Sequence, residues 1–223
     1  LASPGESIRS TLINNGYTSW SGSSMASPIA AGTIGLLRSY NMDWNNEMLE
    51  TMILATADPV IYDVNPESYL QGNLGRGRVE ALMAVSTPLF PNFEMIGTDI
   101  YIPTNPGGTV MPGDDFEIMV ILLNNEYWGA ATNISTVLSS ESNQISITNP
   151  NMNFENAWPG MPVVNDGNPF LIELSSSIEP GEYEFTLNLT SNEDDYVQYQ
   201  TEFNFTLLVE EGSQGMAGDV NMD

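Results

Sequence analysis

Apolar positions follow two different rhythms along this chain. Over residues 25–37 they are almost continuous, with Ala, Gly, Ile and Leu filling nearly every place, which predicts a helix to about Tyr40 that is buried on most of its faces. Met48, Leu49, Met52 and Ile53 then recur at helical spacing behind Trp44-Asn-Asn-Glu. That pattern predicts an amphipathic helix with Asn45 as its N-cap and Glu47 in its first turn, ended by Asp58-Pro59. A short helix is predicted over 79–86, stopping before Pro88. Ahead of these lie a strand over 7–12 and a turn at Asn14-Asn15-Gly16, with 17–21 as the lead into the first helix. After a proline-punctuated junction at 88–92 the period falls to two. Tyr183, Phe185, Leu187 and Leu189 alternate with Glu184, Thr186, Asn188 and Thr190, and Phe203, Phe205, Leu207 and Val209 alternate in the same way. These are half-buried antiparallel strands. Further strands are predicted at 100–103, 116–123, 133–139, 144–148 and 170–174, separated by turns such as Pro112-Gly-Asp and Pro180-Gly-Glu.

About seven short strands in roughly a hundred residues is the pattern of an immunoglobulin-like sandwich. The 223 residues therefore read as a helix-containing part, 1–88, an all-β sandwich, 93–210, and a Gly-, Ser- and Gln-rich linker that opens 211–223. Charge separates the two main parts. All four basic residues, Arg9, Arg38, Arg76 and Arg78, lie in 1–88 beside eight acids, whereas 89–223 holds twenty-one acids and no base, giving net charges of −4 and −21 within a total of −25. Phosphate binding needs clustered Lys and Arg, so a nucleic-acid partner is excluded. A surface this negative repels itself unless salt or divalent cations screen it, which points to a saline or calcium-containing setting. The absence of cysteine removes disulfides and thiolate metal sites. No apolar run reaches the length of a membrane span. With neither an initiator Met nor a signal-peptide pattern, the sequence reads as a piece that begins in mid-domain. Gly72, Gly75 and Gly77 lack the spacing of a nucleotide loop; they predict a glycine-rich turn in which Arg76 and Arg78 pair with local carboxylates or carbonyls.

The stretch that carries chemistry is Ser21-Gly-Ser-Ser-Met-Ala-Ser-Pro-Ile-Ala-Ala-Gly32. Gly22 lets the backbone turn sharply into the apolar helix. A serine at that helix start, Ser24, sits where free N–H groups and the positive end of the helix dipole favour developing negative charge, as an acyl-transfer nucleophile requires. Pro28 fits the helix by falling in its first turn, where proline is tolerated because the N–H it lacks has no partner there. The alternative is a buried small-residue helix whose serines only cap its N-terminus. Ser23 is the competing hydroxyl.

This block resembles the nucleophile motif of the subtilisin-like serine proteases, Gly-Thr-Ser-Met-Ala-Ser/Thr-Pro followed by a small-residue helix. Ala2-Ser-Pro-Gly-Glu-Ser-Ile-Arg-Ser10 resembles the strand and turn that precede that motif, and Gly75-Arg-Gly-Arg-Val-Glu-Ala-Leu-Met-Ala-Val85 resembles the segment that closes the domain. Ser23 replaces the usual Thr and keeps its hydroxyl; Ile29 stands where many members carry a His that is not the catalytic one. The resemblance implies an α/β fold, the C-terminal part of a parallel-sheet catalytic domain, and peptide-bond hydrolysis through an acyl-enzyme on Ser24. The family's triad runs Asp, then His, then Ser. It places the Asp and His upstream of these residues, together with a side-chain oxyanion donor; the Ser24 N–H would supply the other donor. It further implies a protein or peptide substrate, a secreted or extracellular location, no cofactor for the chemistry and calcium as a structural ion. Without the upstream segments the chain is expected to be inactive, with 29–37 facing water.

The all-β part resembles, at the level of fold alone, the sandwich modules of cell-surface proteins and proteases that carry Asn-Asn after a strand and Pro-Gly-x-Tyr-x-Phe near the end. This gives the rival function, binding or cell-surface attachment with a degenerate protease portion. The ending Gly218-Asp-Val-Asn-Met-Asp223 resembles the start of a dockerin-type calcium repeat, with Asp219, Asn221 and Asp223 as the candidate ligands, too few to fill a calcium shell alone. A plain polar tail is the alternative.

Overall fold

The computed structural model describes residues 1–192 and 198–211. It divides into two compact units, Leu1–Phe90 and Pro91–Asp223.

The first unit opens with a hairpin, β1 (Ile8–Leu12) and β2 (Gly16–Trp20), paired antiparallel from Ile8 opposite Trp20 to Leu12 opposite Gly16. The strand β2 stands where the sequence reading had only a lead into the helix. Its turn works because Asn14 and Asn15 take left-handed backbone angles, φ 61° and 59°, which asparagine tolerates. Four helices follow: α1 (Ser23–Tyr40), α2 (Asn46–Ala55), α3 (Val60–Asp63) and α4 (Ala81–Ser86). Asn45 caps α2, its side chain accepting from the Met48 N–H at 2.9 Å, and Met48, Leu49, Met52 and Ile53 are all buried. The helix stops at Ala55, before Asp58-Pro59, and Pro59 instead begins α3.

Three expectations are corrected here. The only parallel pairing among the described residues is a single bridge between Ala2 and Arg78; every named ladder is antiparallel. Parallel strands need a crossover of a dozen residues or more, and the one such crossover that closes on itself here, 3–77, makes a bridge and no ladder. Nor is α1 buried on most faces. It meets α2 and α4 along one line, so Thr33 and Leu37, one turn apart, are buried while Leu36 is 42% exposed. A helix that is apolar all round buries only the faces that find a partner. For the same reason 29–37 does not face water as a whole.

The second unit holds nine strands: β3 (Phe93–Tyr101), β4 (Asp115–Asn124), β5 (Ile134–Ser139), β6 (Ile145–Ile147), β7 (Asn151–Phe154), β8 (Pro162–Val164), β9 (Phe170–Leu174), β10 (Gly181–Ser191) and β11 (Tyr199–Val209). They form two antiparallel sheets, ordered β11-β10-β5-β7 and β3-β4-β9-β6, with β8 pairing to β4. Strand β3 is longer than alternation predicts, because a bulge between Met95 and Gly97 breaks its period. Two short strands lie outside the predicted set: β7, whose Asn-Met-Asn-Phe alternates over only four residues, and β8, Pro-Val-Val, which does not alternate. Phe116, Ile118, Val120, Leu122, Phe170 and Ile172 from one sheet and Ile134, Met152, Phe185, Leu187 and Leu189 from the other belong to one buried cluster. Across β10 and β11 the period of two puts Phe185 and Leu187 inside and leaves Glu184, Asn188, Glu202 and Asn204 exposed. No helix among the described residues is long and apolar enough to cross a membrane.

Candidate active site

Gly22 is the N-cap of α1 and holds φ 149°, an angle open to glycine and strained for any residue with a Cβ. Its carbonyl accepts the first helical bonds, from the N–H groups of Met25 at 3.0 Å and Ala26 at 3.2 Å. No side chain caps the helix. The serines are therefore not N-caps in the sense of the alternative reading. Ser23 and Ser24 occupy the first two helical positions, both exposed, and their backbone N–H groups make no hydrogen bond among the described residues. These are orphan donors at the positive end of an 18-residue helix.

Pro28 proves to be the sixth residue of α1, beyond the first turn. It cannot donate to the carbonyl four residues earlier, which is that of Ser24. The loss is tolerable because Ser24 is exposed and water can take the place of the missing donor.

The three motifs, separated along the chain, meet in space. The Gly22 N–H donates to the Gly5 carbonyl at 2.7 Å, and a Cβ on Gly5 would lie 2.9 Å from the Gly22 oxygen and 3.1 Å from the Ala26 Cβ, so only glycine lets the backbones approach this closely. The Ser7 N–H donates to Ser21 Oγ at 2.9 Å, fixing the start of β1 against the turn; Ser7 itself is held at φ 53°. The third motif closes on the first: Ala2 donates to the Gly77 carbonyl at 2.7 Å and accepts from Val79 at 2.8 Å. Arg78 is in turn bridged through backbone to Asp58 and paired with its carboxylate at 2.6 Å, the partner expected of it. Sequence reasoning missed the positioning roles of Ser7 and Ser21. Gly5, in its Pro-Gly pair, was the available signal.

Residues 1–82 match the family model of the subtilase family. They are subtilisin-like. Among relatives of this segment, alkaline elastase YaB of Bacillus sp. (strain YaB) is 37% identical over 57 residues, 26% of this chain and 15% of that protein. The halolysin-like extracellular serine protease Nep of Natrialba magadii is 37% identical over 87 residues, 39% of this chain and 15% of its own length. C5a peptidase of Streptococcus pyogenes is 30% identical over 98 residues, 40% of this chain and 8% of the relative. The chain thus spans 8–15% of the length of these curated relatives. Solved structures that resemble it include a family 123 glycoside hydrolase from Clostridium perfringens, at TM-score 0.29 and 14% identity over 52% of this chain and 27% of the other. Another is the sporulation control protein Spo0M from Bacillus subtilis, at TM-score 0.28 and 13% identity over 52% of this chain and 50% of the other. Scores this low carry no argument about either unit.

In subtilase terms the general base is what these residues lack, since the sequence has no histidine and no lysine. The structural calcium that the resemblance implies finds no group of three or more acidic side chains among the described residues. Asp219, Asn221 and Asp223 lie outside the described residues.

Proposed function

We propose that Ser24 is the nucleophile of a subtilisin-like serine endopeptidase, that 1–88 is the nucleophile-bearing part of its catalytic domain, and that 93–210 is an immunoglobulin-like β-sandwich appended to it. The observation that carries the reading is the exposed Ser24 hydroxyl, free of capping duty beside its own free N–H, on a turn fixed by three subtilase-type segments. Ser24 Oγ attacks the scissile carbonyl carbon while an imidazole supplied from outside these 223 residues takes its proton. The carbonyl oxygen becomes an oxyanion that accepts from the Ser24 N–H. The leaving amine departs with the proton, and water then hydrolyses the acyl-enzyme. The substrates are proteins or peptides and the setting is extracellular, as the name of the Nep relative states for that protein. For the second unit, two antiparallel sheets with one shared core support the sandwich.

The test uses a longer chain that includes the histidine-bearing segment. A fluorophosphonate probe should label Ser24, and Ser24→Ala should lower kcat by about a millionfold. Labelling at Ser23, or an active Ser24→Ala protein, would overturn the assignment. The 223 residues alone should not turn over casein, because an unassisted serine hydroxyl is a weak nucleophile near neutral pH.

A further inference from the structure

The second unit contains a surface groove of about 820 Å³ along the β7 edge of the four-stranded sheet, lined by Asn133, Ser135, Asn153, Glu155, Asn156 and Trp158, with Ile134 and Phe154 between them. The protease reading does not use it. Trp158 is 61% exposed there and presents an amphipathic indole, with an apolar face and one N–H donor, to the groove.

Both walls of the groove are fixed from behind. Ala131 and Ala157, each buried, exchange backbone hydrogen bonds at 2.9 and 3.0 Å. Asn124, fully buried, donates to the carbonyls of Ala157 at 3.1 Å and Gly129 at 2.9 Å. Asn192 accepts from the Thr132 N–H at 3.3 Å and donates to the Ala130 carbonyl at 3.3 Å. The segment entering β5 and the segment carrying Trp158 are thus held before any ligand arrives, and Asn133 itself is set at φ 50°.

Charge and chemistry narrow the occupant. No Lys, Arg or His follows Arg78, so nothing in this unit can neutralise a phosphate, sulfate or uronate. The polar lining side chains of Asn153, Glu155 and Asn156 make no hydrogen bond within the described protein and offer amide donors with amide and carboxylate acceptors, a set that suits hydroxyl groups. A flat indole face beside such groups matches a ligand with an apolar C–H face and a rim of hydroxyls. From the groove a polar row runs over the outer face of the sheet, where Asn153 pairs with Ser135, Ser135 with Thr190 and Thr190 with Gln200. Three strand spacings make that lane about 14 Å long, enough for a short oligosaccharide.

We propose that this groove binds a neutral polysaccharide, with Trp158 stacking on a sugar ring and Asn153, Glu155 and Asn156 bonding its hydroxyls. The proposal stands independently of Ser24. It is tested on the 223-residue chain by native gel electrophoresis through β-glucan, mannan, xylan and soluble starch, each alone, with polylysine and casein as non-carbohydrate probes. At least one neutral polysaccharide should retard the chain. Trp158→Ala should weaken that retardation by about tenfold, and Asn153→Ala combined with Asn156→Ala should weaken it too. Trp20→Ala, an exposed tryptophan of the other unit, should change nothing. Trp158 is exposed, so its variant should keep the wild-type circular-dichroism spectrum, which separates lost binding from lost folding. Retardation by none of the four polysaccharides, undiminished binding by Trp158→Ala, or capture by polylysine or casein alone would overturn the proposal.

Discussion

Asn124 shows how much one buried polar side chain can organise. Its carboxamide accepts from the Asn92 N–H at 3.1 Å and donates to Gly129 and Ala157 from a position with no solvent exposure. Asn124→Ala removes the partner of the Asn92 N–H and of the Gly129 carbonyl, while the Ala157 carbonyl keeps the Ala131 N–H at 2.9 Å, and chemical denaturation should show a loss of about 1–3 kcal/mol. Ser191 is the contrasting case: equally buried, its hydroxyl has no partner among the described residues, so Ser191→Ala should be neutral or slightly stabilising by the same measurement. Tyr199 adds a pH dependence. Burial lifts its phenol above the ordinary value of 10.0, opposed by hydrogen bonds from the Phe93 backbone and with the Thr201 side chain. A raised folded value means that the native state holds this proton longer than the unfolded chain does. The stability it contributes is fully present below about pH 10 and is lost as pH rises through the folded value. Denaturation midpoints of Tyr199→Phe should therefore fall less steeply than wild type above about pH 10; parallel curves would refute the linkage.

Among the elements, α1 separates sequence character from burial most clearly. Leu36 and Leu37 are neighbours with the same side chain, yet Leu37 is fully buried against the other helices and Leu36 is not. Leu37→Ala should cost about 2–5 kcal/mol, whereas Leu36→Glu should stay within about 0.5 kcal/mol in the 223-residue chain. Equal effects of the two would show that α1 packs in a different rotation. The β10–β11 pair is the opposite case, since within its eleven consecutive cross-strand pairs, from Gly181–Val209 to Ser191–Tyr199, Tyr183, Phe185, Leu187 and Leu189 share one face with Phe203, Phe205 and Leu207. A slip of one residue would turn Phe185 and Leu187 outward, so pattern alone sets this register.

For the molecule as a whole, the charge asymmetry dominates. Residues 89–223 carry twenty-one acids without one base, and among the described residues the sole ion pair, Arg78 with Asp58, lies in the other unit. Half-exposed, that pair contributes little. Repulsion among the acids is screened by added salt, so thermal unfolding midpoints should rise between low salt and about 1 M sodium chloride. Unchanged midpoints would mean that these carboxylates are spaced too widely to strain the fold.

The antiparallel strands, the capped α2 and the register of Gly22, Ser23 and Ser24 were legible because each rests on local rules: period two, an Asn with its N–H target three residues on, a fixed run of small residues. The subtilisin-like character of 1–82 came from the same local runs. Strands β7 and β8 were not legible, because Pro-Val-Val has no alternation, Asn-Met-Asn-Phe alternates only twice, and the pairing of both is decided by partners on β5 and β4. Nor could sequence show that Gly5 touches Gly22, that only Thr33 and Leu37 of α1 are buried, or that Ala131 bridges Ala157 behind Trp158. Those are contacts between residues distant along the chain. Local propensity reports what a segment can bury or bond, and only the folded arrangement decides which partner it meets.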